Sequence, residues 1–136
     1  MSVFVLDANI VSHYLKRHEH VVNNMKKAIL EKNALLVAPI AYYEVKRGLL
    51  AVNSRKRLDE FEKFCDFAGV GQLDNRILSI AADIYVAQRK KSKSMGDADV
   101  FIAAFCRLHN FILVTHNTKH FEHIEDLPLE DWTIAH

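Results

Sequence analysis

VFVLDANI, residues 3–10, sets four residues suited to the middle of a sheet directly before a carboxylate, Asp7. An unbroken apolar run, rather than an alternating one, suits a strand covered on both faces. A charge immediately behind such a strand either caps the next helix or holds something, and the rest of the chain has to decide between them. Further short apolar runs occur at residues 34–38 and 111–115, with weaker candidates at 70–73 and 132–134. Between them, Val21, Val22, Met25, Ala28 and Ile29 follow the three-and-four spacing of an apolar helix stripe, as do Leu58, Phe61, Phe64, Cys65 and Ala68, and Ile77, Ile80, Ala81, Ile84 and Ala87. Strands alternating with helices imply crossover connections and a parallel sheet sandwiched between helices, an α/β fold.

Composition bounds the function. The 136 residues, half of them apolar, suit one domain over residues 1–136 with a single core. Lys plus Arg number 18 against 17 for Asp plus Glu, so the net charge of +1 exerts no global pull toward nucleic acid or an anionic membrane, and any electrostatic specialisation is local. Cys65 and Cys106 lie in apolar helical patterns without a Cys-x-x-Cys motif, as expected in a reducing cytosol. The opening apolar run, broken by Asp7 and followed by Asn9, Ser12 and His13, is too short and polar for a signal peptide or membrane span. The expectation is a cytoplasmic protein without membrane attachment.

Pro39 suits the first turn of a helix over residues 40–50, which puts Glu44 near that helix's start. Asp97 and Asp99 stand ahead of a helix over 100–108 that is apolar nearly all round and therefore buried. In a parallel α/β sheet the carboxyl ends of the strands and the amino ends of the following helices share one edge, where ligands bind. Asp7, Glu44, Asp99 and Asn117, which follows the FILVT run, all belong to that edge whatever the strand order. Three carboxylates brought together repel one another unless a cation compensates them. A hard, oxygen-preferring cation, Mg²⁺ or Mn²⁺, is the natural occupant, and the implied chemistry is metal-assisted phosphodiester hydrolysis. Singly, each acid reads better as a cap or a solvated charge; only their joint placement points to a site.

At these residues the chain resembles the PIN-domain ribonucleases, specifically the VapC toxins of toxin–antitoxin pairs. The matching segments are VFVLDANI, APIAYYEVKRGL (residues 38–49), GDADVFIAAFCRLHNFILVTHNTKHF (96–121) and LPLEDW (127–132), which span nearly the whole chain in the family's order. The resemblance implies a PIN-like α/β/α sandwich with a central parallel sheet of four to five strands. It also implies a Mg²⁺- or Mn²⁺-dependent endoribonuclease acting on structured RNA, tRNA or rRNA, blocked by a VapB-type antitoxin and commonly dimeric. The family's acidic positions fall on Asp7, Glu44 and Asp99, which would bind the metal, and a weaker fourth position falls on Asn117. Asp97, Thr115 and Asn9 become candidate supports around these ligands. Where the family usually carries hydroxyls, this chain has Ala8 and Ala41. That departure motivates an alternative, a PIN-like RNA- or protein-binding module with little or no catalysis. A phosphatase of small phosphomonoesters is a further alternative, disfavoured by the lack of a Gly-rich phosphate loop.

Arg47, one turn from Glu44, either pairs with it or meets substrate. Arg89, Lys90, Lys91 and Lys93 precede the acidic helix and are candidate RNA contacts, whereas residues 55–57 read as a solvated face. His116, His120 and His123 read as a surface loop rather than a zinc site, because no cysteine completes the set. Leu49, Leu50, Leu58 and Phe61, projecting from the helical pair over residues 41–68, are the expected antitoxin or dimer surface.

Overall fold

The computed structural model describes residues 1–135. Strands β1 (Val3–Leu6), β2 (Ala34–Val37), β3 (Ile112–Val114) and β4 (Leu129–Glu130) form a four-stranded sheet in the order β2-β1-β3-β4, with every pairing parallel. The helices are α1 (Ala8–Leu15), α2 (Glu19–Leu30), α3 (Ala41–Ala51), α4 (Arg55–Ala68), α5 (Asn75–Lys90) and α6 (Asp97–His109), and a 3-10 turn covers Thr118–His120. Phe4, Val5 and Leu6 are all buried although successive strand residues face opposite sides, so β1 is covered on both faces. The helix stripes bury the expected residues: Val21, Met25 and Ala28 in α2, Phe61, Phe64 and Cys65 in α4, and Ile77, Ala81 and Ile84 in α5. Both cysteines are free and buried, and desolvation pushes the Cys65 thiol up to about 11, so they serve as apolar filling.

The chain runs from β1 outward to β2 and then returns across β1 to β3, so the strand order reverses at the carboxyl ends of β1 and β3. Such a reversal opens a crevice. Leu6 is level with Val37 on one side and Val114 on the other, which brings Asp7, Ala38 and Thr115 out of the sheet together.

Four local expectations need correction. Residues 70–73 contribute only a single bridge, Val70 to Val37, because the chain turns away at Gly69, which sits at φ +89°. A Cβ on Gly71 would lie 2.7 Å from Phe105 and 2.9 Å from Pro39, so the passage beside β2 admits no side chain there. The last strand is Leu129–Glu130 rather than residues 132–134; Trp132 is apolar because it is core, 2% exposed and edge-on to Phe4 at 5.1 Å. Pro39 precedes α3, whose N-cap is Ile40. Ile40 has φ +76°, a conformation that costs a β-branched residue on the order of 1–3 kcal/mol and tends to sit at functional sites. Finally, Phe61 does not project from α4: it is fully buried against Tyr42, while Leu49 and Leu58 are half-buried. Of the four residues expected at that surface only Leu50 is exposed; Val52, the C-cap of α3, is exposed as well.

Candidate active site

Asp7 is both a cap and a site residue. Its Oδ1 accepts a hydrogen bond from the Ala8 backbone N–H at 2.8 Å, as the N-cap of α1, which leaves Oδ2 for other partners. The Thr115 hydroxyl donates to Oδ2 at 2.8 Å, and the Asn9 amide donates to the same oxygen at 3.3 Å. Thr115 is fully buried and also accepts from the Asn117 backbone N–H at 3.1 Å, so one hydroxyl ties the loop after β3 to the carboxylate after β1. Asn9 is pinned in turn, its Oδ1 accepting from the His116 backbone N–H at 2.9 Å.

Glu44 stands in the first turn of α3 and Asp99 in the first turn of α6, where helix amino ends favour negative charge. Burial raises the Glu44 carboxyl above its ordinary value, and the charges of Asp7 and Asp99 add to that while Arg47 opposes it. Burial likewise raises the Asp99 carboxyl; the neighbouring His120 counteracts this and the Asp7 charge reinforces it. The three acids thus lie within electrostatic reach of one another. Among the described residues, no three His, Cys, Asp or Glu side chains close into a ready-made metal cage. The three rim acids offer carboxylate oxygens, the donor chemistry of a hard cation rather than of a tetrahedral zinc site.

This strain has a measurable sign. An acid whose pKa is raised in the fold costs stability above that raised value, and the cost disappears below the unfolded value, 4.5 for Glu44. Glu44→Gln is expected to raise the melting temperature at pH 7 in EDTA, with the gain shrinking to nothing near pH 4. Parallel melts across pH check it; a gain that does not depend on pH would contradict the electrostatic origin.

The remaining residues separate clearly. Asn117 caps the 3-10 turn and is exposed, and Asp97 is exposed in the first turn of α6. Asp97 is two positions from Asp99 and Asn117 two from Thr115, and among the described residues neither side chain bonds to a rim acid. Arg47 does not pair with Glu44: its guanidinium lies over Tyr43, 5.0 Å from the ring centre. The basic run divides, with Arg89 donating to the Tyr85 hydroxyl at 3.0 Å, Lys90 exposed, Lys91 beside a separate cleft lined by Asp83 and Glu125, and Lys93 sharing a cleft with Asp99. The histidines do not converge. His116 engages Asp131 and Thr133, His123 lies near Glu122, and His120 approaches Asp99 with Nδ1 3.3 Å from Oδ2. His120, read from sequence as part of a surface loop, is thus a site neighbour, carried there by a turn that ends on buried Phe121.

A family model for the PIN domain matches residues 4–127. Ribonuclease VapC1 of Haemophilus influenzae (strain R2866) is 25% identical over 132 residues, covering 96% of this chain and 98% of that protein. The tRNA(fMet)-specific endonuclease VapC of Shigella flexneri is 25% identical over 134 residues, covering 98% of this chain and all of its own, 100%. Among solved structures, VapBC-1 from nontypeable Haemophilus influenzae matches with a TM-score of 0.81 at 25% identity, covering 97% of this chain and 99% of that one.

Proposed function

The chain belongs to the PIN-domain family, and from that premise we propose that it is a VapC-type toxin, an endoribonuclease of the cytoplasm that cleaves structured RNA such as tRNA or rRNA and is neutralised by a VapB-type antitoxin. Relatives named as VapC ribonucleases along nearly the full length, and the likeness to a VapBC structure, support the enzyme and its partner. Among the described residues, no helix is long and apolar enough to cross a membrane. One observation carries the chemistry: Asp7, at the carboxyl end of the central strand, lies within electrostatic reach of both Glu44 and Asp99 at the sheet's ligand edge.

In this reading Asp7, Asp99 and Glu44 hold Mg²⁺ or Mn²⁺, which when bound polarises the phosphoryl group and acidifies a water. The chain's own groups do the positioning. Thr115 and the Ala8 N–H hold the Asp7 carboxylate in one orientation, His120 restrains Asp99, and Asn117 adds a neutral amide on the same rim. Exposed Leu50 and Val52 at the end of α3 offer apolar surface to the antitoxin or to a second copy in a homodimer.

The alternative of a non-catalytic binding module rested on the missing hydroxyls, and its motivation weakens here. Ala8 serves Asp7 through its backbone, Thr115 supplies a hydroxyl from across the sheet, and Ala41 is fully buried in the core. The decisive experiment is RNA cleavage by purified protein: it should proceed with Mg²⁺ or Mn²⁺, stop in EDTA and return on readdition of metal. Cleavage that persists in EDTA overturns the metal-dependent reading.

Thr115→Val keeps the shape but removes the donor to Asp7. We expect RNA cleavage to fall about 10–100-fold, the usual cost of losing a hydrogen bond that orients a metal ligand. Single-turnover rates at saturating RNA check this, and an unchanged rate would show that Asp7 needs no such support.

A further inference from the structure

A cleft of about 340 Å³ lies beside Asp99, between the α5–α6 loop and the 3-10 turn, lined among others by Lys93, Ser94, Gly96, Lys119 and His120. We propose that this cleft is the subsite for an RNA backbone phosphate flanking the scissile one, gripped by Lys93 and Lys119; the inference rests on the ribonuclease reading and gives the substrate strand a side of the site.

Several of the chain's other cations are committed elsewhere. Arg17 pairs with Glu60 at 3.1 Å, Lys46 with Glu62 at 3.3 Å, and Arg76 with Asp74 at 3.1 Å. Arg47 and Arg89 lie against tyrosine rings. Among the described residues, neither Lys93 nor Lys119 forms an ion pair, although both line the same cleft as the Asp99 carboxylate. They come from two different elements, so the fold rather than local sequence sets them on one cleft. Gly96, also in its wall, caps α6 without a side-chain hydrogen bond and presents bare backbone, with nothing within 4 Å of where a Cβ would stand. Cations and uncapped amides suit a phosphodiester, which is recognised chiefly through its charge.

The cleft on the opposite flank, beside Glu44, differs in kind. It also holds Lys16 and Arg57, but its walls are Leu15, Val45, Leu49 and Val52, which suit an apolar side chain better than a phosphate. The strand therefore leaves the acids on the Asp99 side.

The test is the double substitution Lys93→Ala with Lys119→Ala in the full chain, with Lys91→Ala, in the separate cleft lined by Asp83 and Glu125, as a control. Binding of a single-stranded oligoribonucleotide is followed by anisotropy in EDTA at several salt concentrations, and cleavage is followed with Mg²⁺. We expect Kd and KM to rise on the order of tenfold, and the slope of log affinity against log salt to become shallower by about 1–2. The value of kcat should stay within about twofold, because neither lysine touches the reacting atoms. The paired Lys→Arg changes should restore binding, since charge is what the subsite reads. An unchanged KM and salt slope in a protein that still cleaves RNA overturns the subsite alone. RNA binding that depends on these lysines without metal-dependent cleavage instead overturns the ribonuclease reading and leaves the cleft as an RNA phosphate site with no scissile neighbour. A protein that neither binds nor cleaves RNA overturns both.

Discussion

Asp99→Asn is expected to lower RNA cleavage by about three orders of magnitude, the equivalent of roughly 4 kcal/mol of transition-state stabilisation from a bound metal. The amide keeps the size and an oxygen of the carboxylate but not the charge that would hold the cation. Stability should move the other way. Burial and the Asp7 charge both disfavour ionised Asp99, and the partial compensation comes from His120 at 3.3 Å. Removing the charge should therefore leave the melting temperature in EDTA unchanged or higher, while the stabilisation that added Mg²⁺ confers on the native protein disappears. Cleavage rates and melts with and without metal, taken on one preparation, check both halves. Activity within tenfold of native would remove Asp99 from the metal site.

Phe121→Ala should produce the largest loss of stability, about 3–5 kcal/mol by urea unfolding, because a fully buried aromatic leaves a cavity that its neighbours only partly refill. The site should suffer with it. Phe121 ends the 3-10 turn that carries Lys119 and His120 and begins after Asn117, so it anchors the segment that brings His120 to Asp99. Phe121→Leu, which keeps most of the buried volume, should recover most of the stability and of the cleavage. A loss below about 1 kcal/mol for the alanine variant would mean that the turn is held by its backbone alone.

The acids were legible in the sequence because their placement follows from a rule that does not require the strand order. Asp7 follows a strand, while Glu44 and Asp99 sit in the first turns of helices, and such positions meet at one edge of any parallel sheet. The alternation of apolar runs and helix stripes likewise sufficed for the parallel α/β class. The same local reading mistook burial for strand at Trp132, since an apolar residue packed on Phe4 and one in a buried strand look alike in a sequence. It also gave α4 one apolar stripe without telling which part faces the core, and so assigned Phe61 to the surface.

What the sequence by itself determined, then, is the α/β class and the edge on which Asp7, Glu44 and Asp99 meet, because periodicity and chain-local geometry propagate over only a few residues and those features need no more. The tertiary structure alone decided which groups steady the acids. Thr115 reaches Asp7 across 108 positions of chain, His120 reaches Asp99 from a turn that reads as surface loop, and the basic run splits so that only Lys93 joins Lys119 beside the site. Such pairings depend on register and on how elements pack, and no local pattern encodes the distance between side chains that are brought together only when the sheet forms.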